Sequence, residues 1–341
     1  MLAVWLVRAG KSGEGEEIAL TQGLAVIGWG DLGDLSDIKS KRDLSDRMAK
    51  AYPTAKPKTL INWGGQVWTF VKVIEEGDLV VLPLKSTSAI AIGTVAGHYI
   101  YRADLPEFAR HTRKVSWIRD DLPRSTFDQD ILYTMGAFLT VCRISRNNAE
   151  ARIRATLAGK PMPPPDVDVG EPTIAVAEEE GQINLAQQAE DQIRKFIDER
   201  FKGHDLARLV TALLVAQGYQ VQMSPPGADG GVDVIAGRGP LGFEPPRLVV
   251  QVKSSVEPVD VKVLRELQGV MKGFGAEQGL LIAWGGFKRT VIDEARRQYF
   301  AIRLWDSGAL VEELMNSYDR LPGDIRAELP LKRVWVVVPE E

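Results

Sequence analysis

A carboxylate, a carboxamide and an ammonium stand close together in this chain, at Asp233, Gln251 and Lys253, each embedded among valines. Side chains alternate between the two faces of a strand, so Gln251 and Lys253 share one face while Val250 and Val252 take the other. Asp233 opens the preceding apolar run, between Val232 and Val234. If the two runs pair, all three polar groups can converge at one sheet edge. Burying such groups without partners is costly, so their presence among β-branched neighbours calls for a reason. Phosphodiester hydrolysis supplies one. An Asp carboxylate suits Mg²⁺, with Mn²⁺ as an alternative ion, and Gln adds a neutral oxygen ligand that binds more weakly than an acid. Such an ion activates water and polarises a phosphoryl oxygen. A neighbouring Lys orients the water and stabilises developing charge.

The surrounding elements suit that placement. Helical patterns over Leu185–Phe201 and His204–Gln217 end at Gly218, and a strand follows at Tyr219–Met223. Strand runs Gly231–Ala236 and Leu248–Lys253 come next, then helix Val259–Phe274, strand Gly279–Trp284, helix Lys288–Phe300 and strand Ala301–Trp305. Strands alternating with helices predict an α/β domain with a mixed sheet between helices.

These residues resemble the catalytic domain of Mrr-type restriction endonucleases, within the PD-(D/E)XK nuclease superfamily. The resemblance covers about residues 200–312 and rests on Gly218-Tyr219, the Gly227–Asp233 run GADGGVD, Gln251-Val252-Lys253, and the later strands with Leu280-Leu281-Ile282 and Arg303–Asp306. It implies a metal-dependent DNA endonuclease, a restriction enzyme acting on foreign and modified double-stranded DNA. It also explains Gln251, since this branch carries Gln where others carry Asp or Glu. Family members often place a Glu on the helix before the first strand, in a pattern like G-x-x-F-E. Here Gly203, His204, Asp205, Leu206 and Ala207 leave Ala at that position. Asp205 is the expected substitute ligand, with His204 as the alternative. Asp229 reads as turn chemistry rather than a ligand. Lys262, Arg265, Lys272, Lys288 and Arg289 lie on or near helices flanking the sheet, where phosphate contacts give affinity without sequence choice. Of these, Lys262, Lys288 and Arg289, with Ser254 just after Lys253 and Ser255 next to it, are the phosphate candidates. A nuclease-like fold that binds without cutting, or a structure-specific nuclease such as a junction resolvase, are the alternatives. Cutting both strands takes two centres, so a homodimer is expected at least during cleavage.

The chain has 341 residues, a length that favours two domains. Pro161, Pro163, Pro164, Pro165 and Pro172, followed by a Glu run, mark an acidic linker over about 159–185. It separates an N-terminal domain, 1–158, from the nuclease-like domain, 186–341. The net charge of −4 hides an uneven distribution. Residues 161–193 hold eight acids and no Lys or Arg, which leaves +4 in the remainder (−4 minus −8). A mildly basic remainder is compatible with a nucleic-acid partner.

The N-terminal part is strand-rich. Apolar runs Ala3–Val7, Leu24–Gly28, Leu79–Pro83, Ile90–Val95 and Phe138–Ile144 alternate with Gly, Asp and Pro, and helices are expected at Leu35–Ala51 and Lys58–Val73. These predict a smaller α+β domain with a curved β-barrel. Five of the eight tryptophans fall here: Trp5, Trp29, Trp63, Trp68 and Trp117. Aromatic rings stack on bases. Trp5–Gly10, Ile27–Gly30, Gly77–Pro83 and Ala91–Val95 resemble PUA-like or EVE-like modules, which implies a nucleic-acid reader, including of modified bases. Trp29 and Trp63 are the expected ligand-facing pair. Gly28, Gly30 and Gly33 match a dinucleotide-binding fingerprint, but the polar stretch Asp34–Lys41 does not fit the packed helix such a site requires. The single cysteine, Cys142, excludes an intramolecular disulfide or a multi-cysteine zinc site. No apolar run reaches the ~18 residues of a membrane span. The first apolar stretch reads as a strand rather than a signal peptide, and the expected compartment is the cytoplasm.

Overall fold

The structure is a computed structural model, and it describes residues 3–136, 139–164, 184–225 and 231–336. Two compact units form: one from the residues up to Leu122 together with Phe127–Gln188, the other from Pro123–Thr126 and Ala189–Val336. Most of the Pro-rich acidic stretch, and Asp229, lie outside the described residues.

The first unit is built on six strands: β1 (Val4–Val7), β2 (Leu24–Ile27), β3 (Leu79–Pro83), β4 (Ala89–Tyr101), β5 (His111–Pro123) and β6 (Val141–Arg143). Their order is β2-β5-β4-β3-β1-β6. Helices α1 (Glu16–Gln22), α2 (Lys41–Ala51), α3 (Pro57–Trp68), α4 (Gln129–Met135) and α5 (Ala149–Leu157) accompany them. The expected barrel is not formed: among the described residues the sheet is open, ending on β2 and β6. Strand alternation gives the reason. Val4, Leu6, Leu79, Val81, Ile90 and Ile92 pack with Ile131, Leu132 and Ile153 of α4 and α5. Trp5, Val7, Val80 and Val95 pack with Leu44, Met48 and Val67 of α2 and α3. A sheet whose two faces are both covered by helices has no need to close on its own core.

Helix α2 starts later than Leu35 because Ser40 and Asp43 form a reciprocal capping box. Helix α3 loosens into a π turn at Thr69–Val73. There the buried Arg113 guanidinium donates to the carbonyls of Phe70 (2.6 Å) and Val71 (3.0 Å).

The second unit carries β7 (Gln220–Met223), β8 (Val234–Arg238), β9 (Glu244–Lys253), β10 (Gln278–Ala283) and β11 (Ile302–Asp306), in the order β11-β10-β9-β8-β7. β9, β10 and β11 are parallel, and β7 and β8 join antiparallel, giving the mixed sheet that was expected. Helices α6 (Leu185–Arg200), α7 (His204–Ala216) and α10 (Ser307–Ser317) contribute Ile197, Leu209, Leu213 and Leu310 to one face, against Val234, Val250, Leu280 and Ile282. Helices α8 (Val261–Gly273) and α9 (Arg289–Arg296) cover the other with Leu264, Leu267, Met271 and Val291, against Val249, Leu281 and Ala283. A last short helix, α11 (Gly323–Glu328), packs Ile325 onto the first face. No helix among the described residues is long and apolar enough to cross a membrane.

Candidate active site

Asp233 stands immediately before β8, held against β9 at two points. Its amide donates to the Val250 carbonyl (2.9 Å), and its Oδ2 accepts from the Val252 amide (2.7 Å). Ser224 steadies the same turn, donating its amide to the Asp233 carbonyl (2.8 Å) and its hydroxyl to the Val232 carbonyl (2.6 Å). Gln251 pairs with Leu281 and Lys253 with Ala283, and both partners belong to the layer under α8 and α9. Gln251 and Lys253 therefore share that face, as alternation predicts. Gln251 is 3% exposed, and among the described residues its Oε1 has no hydrogen-bond partner. Its Nε2 lies toward Gly231, where an added Cβ would stand 3.6 Å away. Lys253 and Ser254 are half-buried, while Ser255 is exposed.

The loop after Lys253 is clamped onto the end of β10. Trp284 N donates to the Lys253 carbonyl (2.8 Å), and Gly285 N donates to the Ser255 carbonyl (3.0 Å). A Cβ at Gly285 would collide with the main chain of Val256 and Glu257. Only glycine allows that approach, and it fixes where β9 ends and therefore where the Lys253 side chain starts.

Helices α8 and α9 begin just beyond the ends of β9 and β10, which brings Lys262, Lys288 and Arg289 to the same end of the sheet as Lys253. All three are exposed. Lys288 pairs with Asp260 (3.2 Å), the residue that caps α8. Lys262 lies 4.0 Å from Glu266. Lys272 sits at the opposite end of α8.

Helix α7 turns sharply into β7 and runs antiparallel to it, so Asp205 lies at this end of the sheet. It is carried, however, by a helix that covers the face opposite Gln251. Its carboxylate meets Arg208 (3.3 Å), and Arg208 in turn binds Glu328 (2.6 Å). Among the described residues no three His, Cys, Asp or Glu side chains group in a way that could hold a metal.

In the first unit, Trp29 and Trp63 do meet, with ring centroids 6.4 Å apart and edge-on, and Tyr52 stands 5.4 Å from Trp63. Burial, then the nearby Asp31 carboxylate, pushes the Tyr52 phenol up to about 12. Trp29 adopts a left-handed backbone (φ 63°), uncommon for any residue but glycine. A chain of hydrogen bonds fixes it, with the buried His111 at its centre. The Leu35 amide donates to the Tyr99 hydroxyl (3.2 Å), Tyr99 donates to His111 Nδ1 (2.8 Å), and His111 Nε2 donates to the Trp29 carbonyl (3.0 Å). Burial holds the His111 pKa below its ordinary value, which suits this neutral tautomer. Trp5 and Trp117 have structural work instead, donating to Asp78 and to the Ala19 carbonyl (both 2.8 Å).

Residues 198–314 match a family model described as a restriction endonuclease, and residues 5–137 match a domain of unknown function, DUF8426. Two solved structures are similar at 15% identity each. The DNA modification-dependent restriction endonuclease AspBHI has a TM-score of 0.33, over 81% of this chain and 74% of that one. The MspJI restriction endonuclease in complex with a 27-mer oligonucleotide has a TM-score of 0.32, over 96% and 79%. Likeness of that size carries no weight by itself, so the assignment rests on the family match. No curated protein matches the chain. The second unit therefore carries a restriction-endonuclease catalytic domain, which makes the chain an endodeoxyribonuclease.

Proposed function

We propose that the chain is a divalent-metal-dependent endonuclease of a restriction system, cutting double-stranded DNA with Asp233, Gln251 and Lys253. The observation that carries this reading is the Oε1 of Gln251, without a partner among the described residues and buried on the Lys253 face of β9, the strand to which Asp233 is bonded. A buried acceptor without a donor is costly. An oxygen-seeking cation such as Mg²⁺ or Mn²⁺ would satisfy it, with Asp233 supplying the charge. When bound, the ion supplies Lewis acidity at the phosphate. Lys253, anchored by the Trp284 clamp, places its ammonium where the attacking water is oriented and negative charge gathers. Lys262, Lys288, Arg289 and Ser254 hold the DNA backbone near this end, which fixes position but not sequence. Asp205 becomes a third ligand only if it leaves Arg208.

Selection of the DNA falls to the first unit. Trp29 and Trp63, set edge-on with Tyr52 near them, offer aromatic surface to a base, including a modified one. Two copies acting on one duplex would cut both strands.

The test uses methylated and unmethylated duplexes with Mg²⁺ or Mn²⁺ and without either. Metal-dependent cleavage by the wild type that is lost in Lys253→Ala supports the reading. A second reading, binding without cutting, is favoured because no three His, Cys, Asp or Glu side chains group among the described residues. It prevails if the protein binds duplex DNA but neither binds metal in calorimetry nor cuts.

A further inference from the structure

Several arginines of the first unit stand against acids: Arg102 against Asp104 (2.6 Å), Arg110 against Glu107 (3.4 Å) and Arg119 against Asp121 (2.7 Å). One stretch is different. Residues 48–74 hold Lys50, Lys56, Lys58 and Lys72, all exposed, and no Asp or Glu. In a chain of net charge −4 this is a local excess of positive charge. Asp37, the acid near Lys72, is already bound by Arg47 (2.9 Å). Helix stability does not account for these lysines. Lys56 stands at the N-cap of α3 and Lys58 in its first turn, where the helix dipole favours acids, and that turn carries none.

Helix α3 has a covered side and an open one. Gln66 and Val67 are buried, and Trp63 packs with the same core as Val67. Lys58, Ile61 and Gly65 follow at three- and four-residue spacing and share the side that faces away. Lys72 lies beyond them, exposed in the π turn. Ile61 is 75% exposed. Gly65 is exposed too, and a Cβ there would meet nothing within 4 Å. Nearly every other residue suits a helix interior better than glycine. Packing does not require one at 65, and what it provides is a low outer surface where a ligand can come close to the helix backbone.

We propose, building on the reading that the first unit meets the DNA, that the outer face of α3 from Lys58 through Ile61 and Gly65 to Lys72 lies along the phosphate backbone of the duplex. Its charge is complementary to a polyanion. Lys58 and Lys72 stand roughly 20 Å apart along the helix, at 1.5 Å per residue. Successive phosphates on one strand advance by about 3.4 Å along the duplex, so the two lysines meet separate phosphates. Such contacts hold the DNA in place without reading its sequence. They use the side of α3 turned away from Trp63, so this grip is separate from the aromatic pair and from the basic residues of the second unit.

Fluorescence anisotropy with the full chain and a labelled mixed-sequence duplex tests it, in chelator so that nothing is cut, from about 50 to 200 mM salt. Each phosphate contact contributes about 0.9 to the slope of log affinity against log salt, so Lys58→Gln with Lys72→Gln should lower the slope by about 2. Gly65→Glu and Gly65→Lys form a second pair of variants. Both side chains are better helix formers than glycine and project into open space, so both should raise Tm. Gly65→Glu should weaken binding by about fivefold or more through repulsion of a nearby phosphate, while Gly65→Lys should bind at least as tightly as the wild type. Binding with an unchanged slope in the lysine double variant overturns the α3 contact and leaves the aromatic reading standing. Equal affinities of Gly65→Glu and Gly65→Lys do the same. A wild type with no affinity for duplex overturns both.

Discussion

Gln251→Met separates the cost of the buried carboxamide from its use. Met has the same unbranched reach but presents no comparable acceptor, so the substitution removes an Oε1 that has no partner among the described residues, without opening a cavity. An unsatisfied buried acceptor costs about 1–3 kcal/mol. Without metal, Gln251→Met should therefore be more stable than the wild type by roughly 1 kcal/mol or more. For a folded unit of this size that is a rise in Tm of about 2–4 °C. With Mg²⁺ the order should narrow or reverse. Ligand at ten times its Kd adds about 1.4 kcal/mol to a protein that binds it, and the variant has lost one of its two proposed ligands. Cleavage by the variant should fall sharply. The assay is thermal unfolding with and without Mg²⁺, run beside cleavage of a DNA duplex. A variant that unfolds earlier without metal and still cuts at the wild-type rate would refute the reasoning.

Gly285→Ala forces the Ser255–Glu257 loop away from β10, because a Cβ there meets main chain. A loss of about 1–3 kcal/mol by denaturant unfolding and a drop in cleavage should appear together; unchanged cleavage would separate the loop from the site. Trp63→Ala should weaken binding of the full chain to the preferred duplex by about 1–3 kcal/mol in a titration, the value of one stacked base; equal affinity would assign Trp63 to the core alone. His111 carries a pH prediction. Its pKa is lowered in the folded state, so the unfolded chain takes up the proton first as pH falls below the ordinary value of ~6.5. The contribution of this neutral histidine is complete above that pH and declines below it, toward the folded pKa. The Tm of His111→Gln should depend less on pH between about 6.5 and 5 than that of the wild type, and identical slopes would place the sensitivity elsewhere.

The second unit was legible because its pattern is dense and local. Valines flanking Gln251 and Lys253 specify a buried strand with one polar face, and the strand–helix alternation orders the sheet. The first unit was harder to read. β5 runs His-Thr-Arg-Lys-Val-Ser-Trp-Ile-Arg-Asp-Asp-Leu-Pro, too charged to look like a central strand. His111, Thr112 and Arg113 are nonetheless buried there, because distant carbonyls accept from them: Trp29, Ile100 and Phe70. Such partners are 12 to 82 residues away in the chain, beyond the reach of any local pattern. The barrel expectation failed for a related reason. Short apolar strands look alike whether they close on themselves or lie between helices, and only α2 to α5 decide the matter. Asp205 shows the same limit. Its place in the sequence suits a ligand, but Arg208, drawn toward Glu328, engages its carboxylate.

The most direct test of the central claim is cleavage of a preferred duplex by the wild type and by Lys253→Ala, in Mg²⁺, with DNA binding measured in parallel. Removing one preorganised charge at a reacting centre costs about 10²–10³ in rate. The account predicts a loss of that order in Lys253→Ala, with DNA affinity largely kept and no cleavage by either protein in chelator. Metal-dependent cutting by Lys253→Ala at the wild-type rate would contradict it.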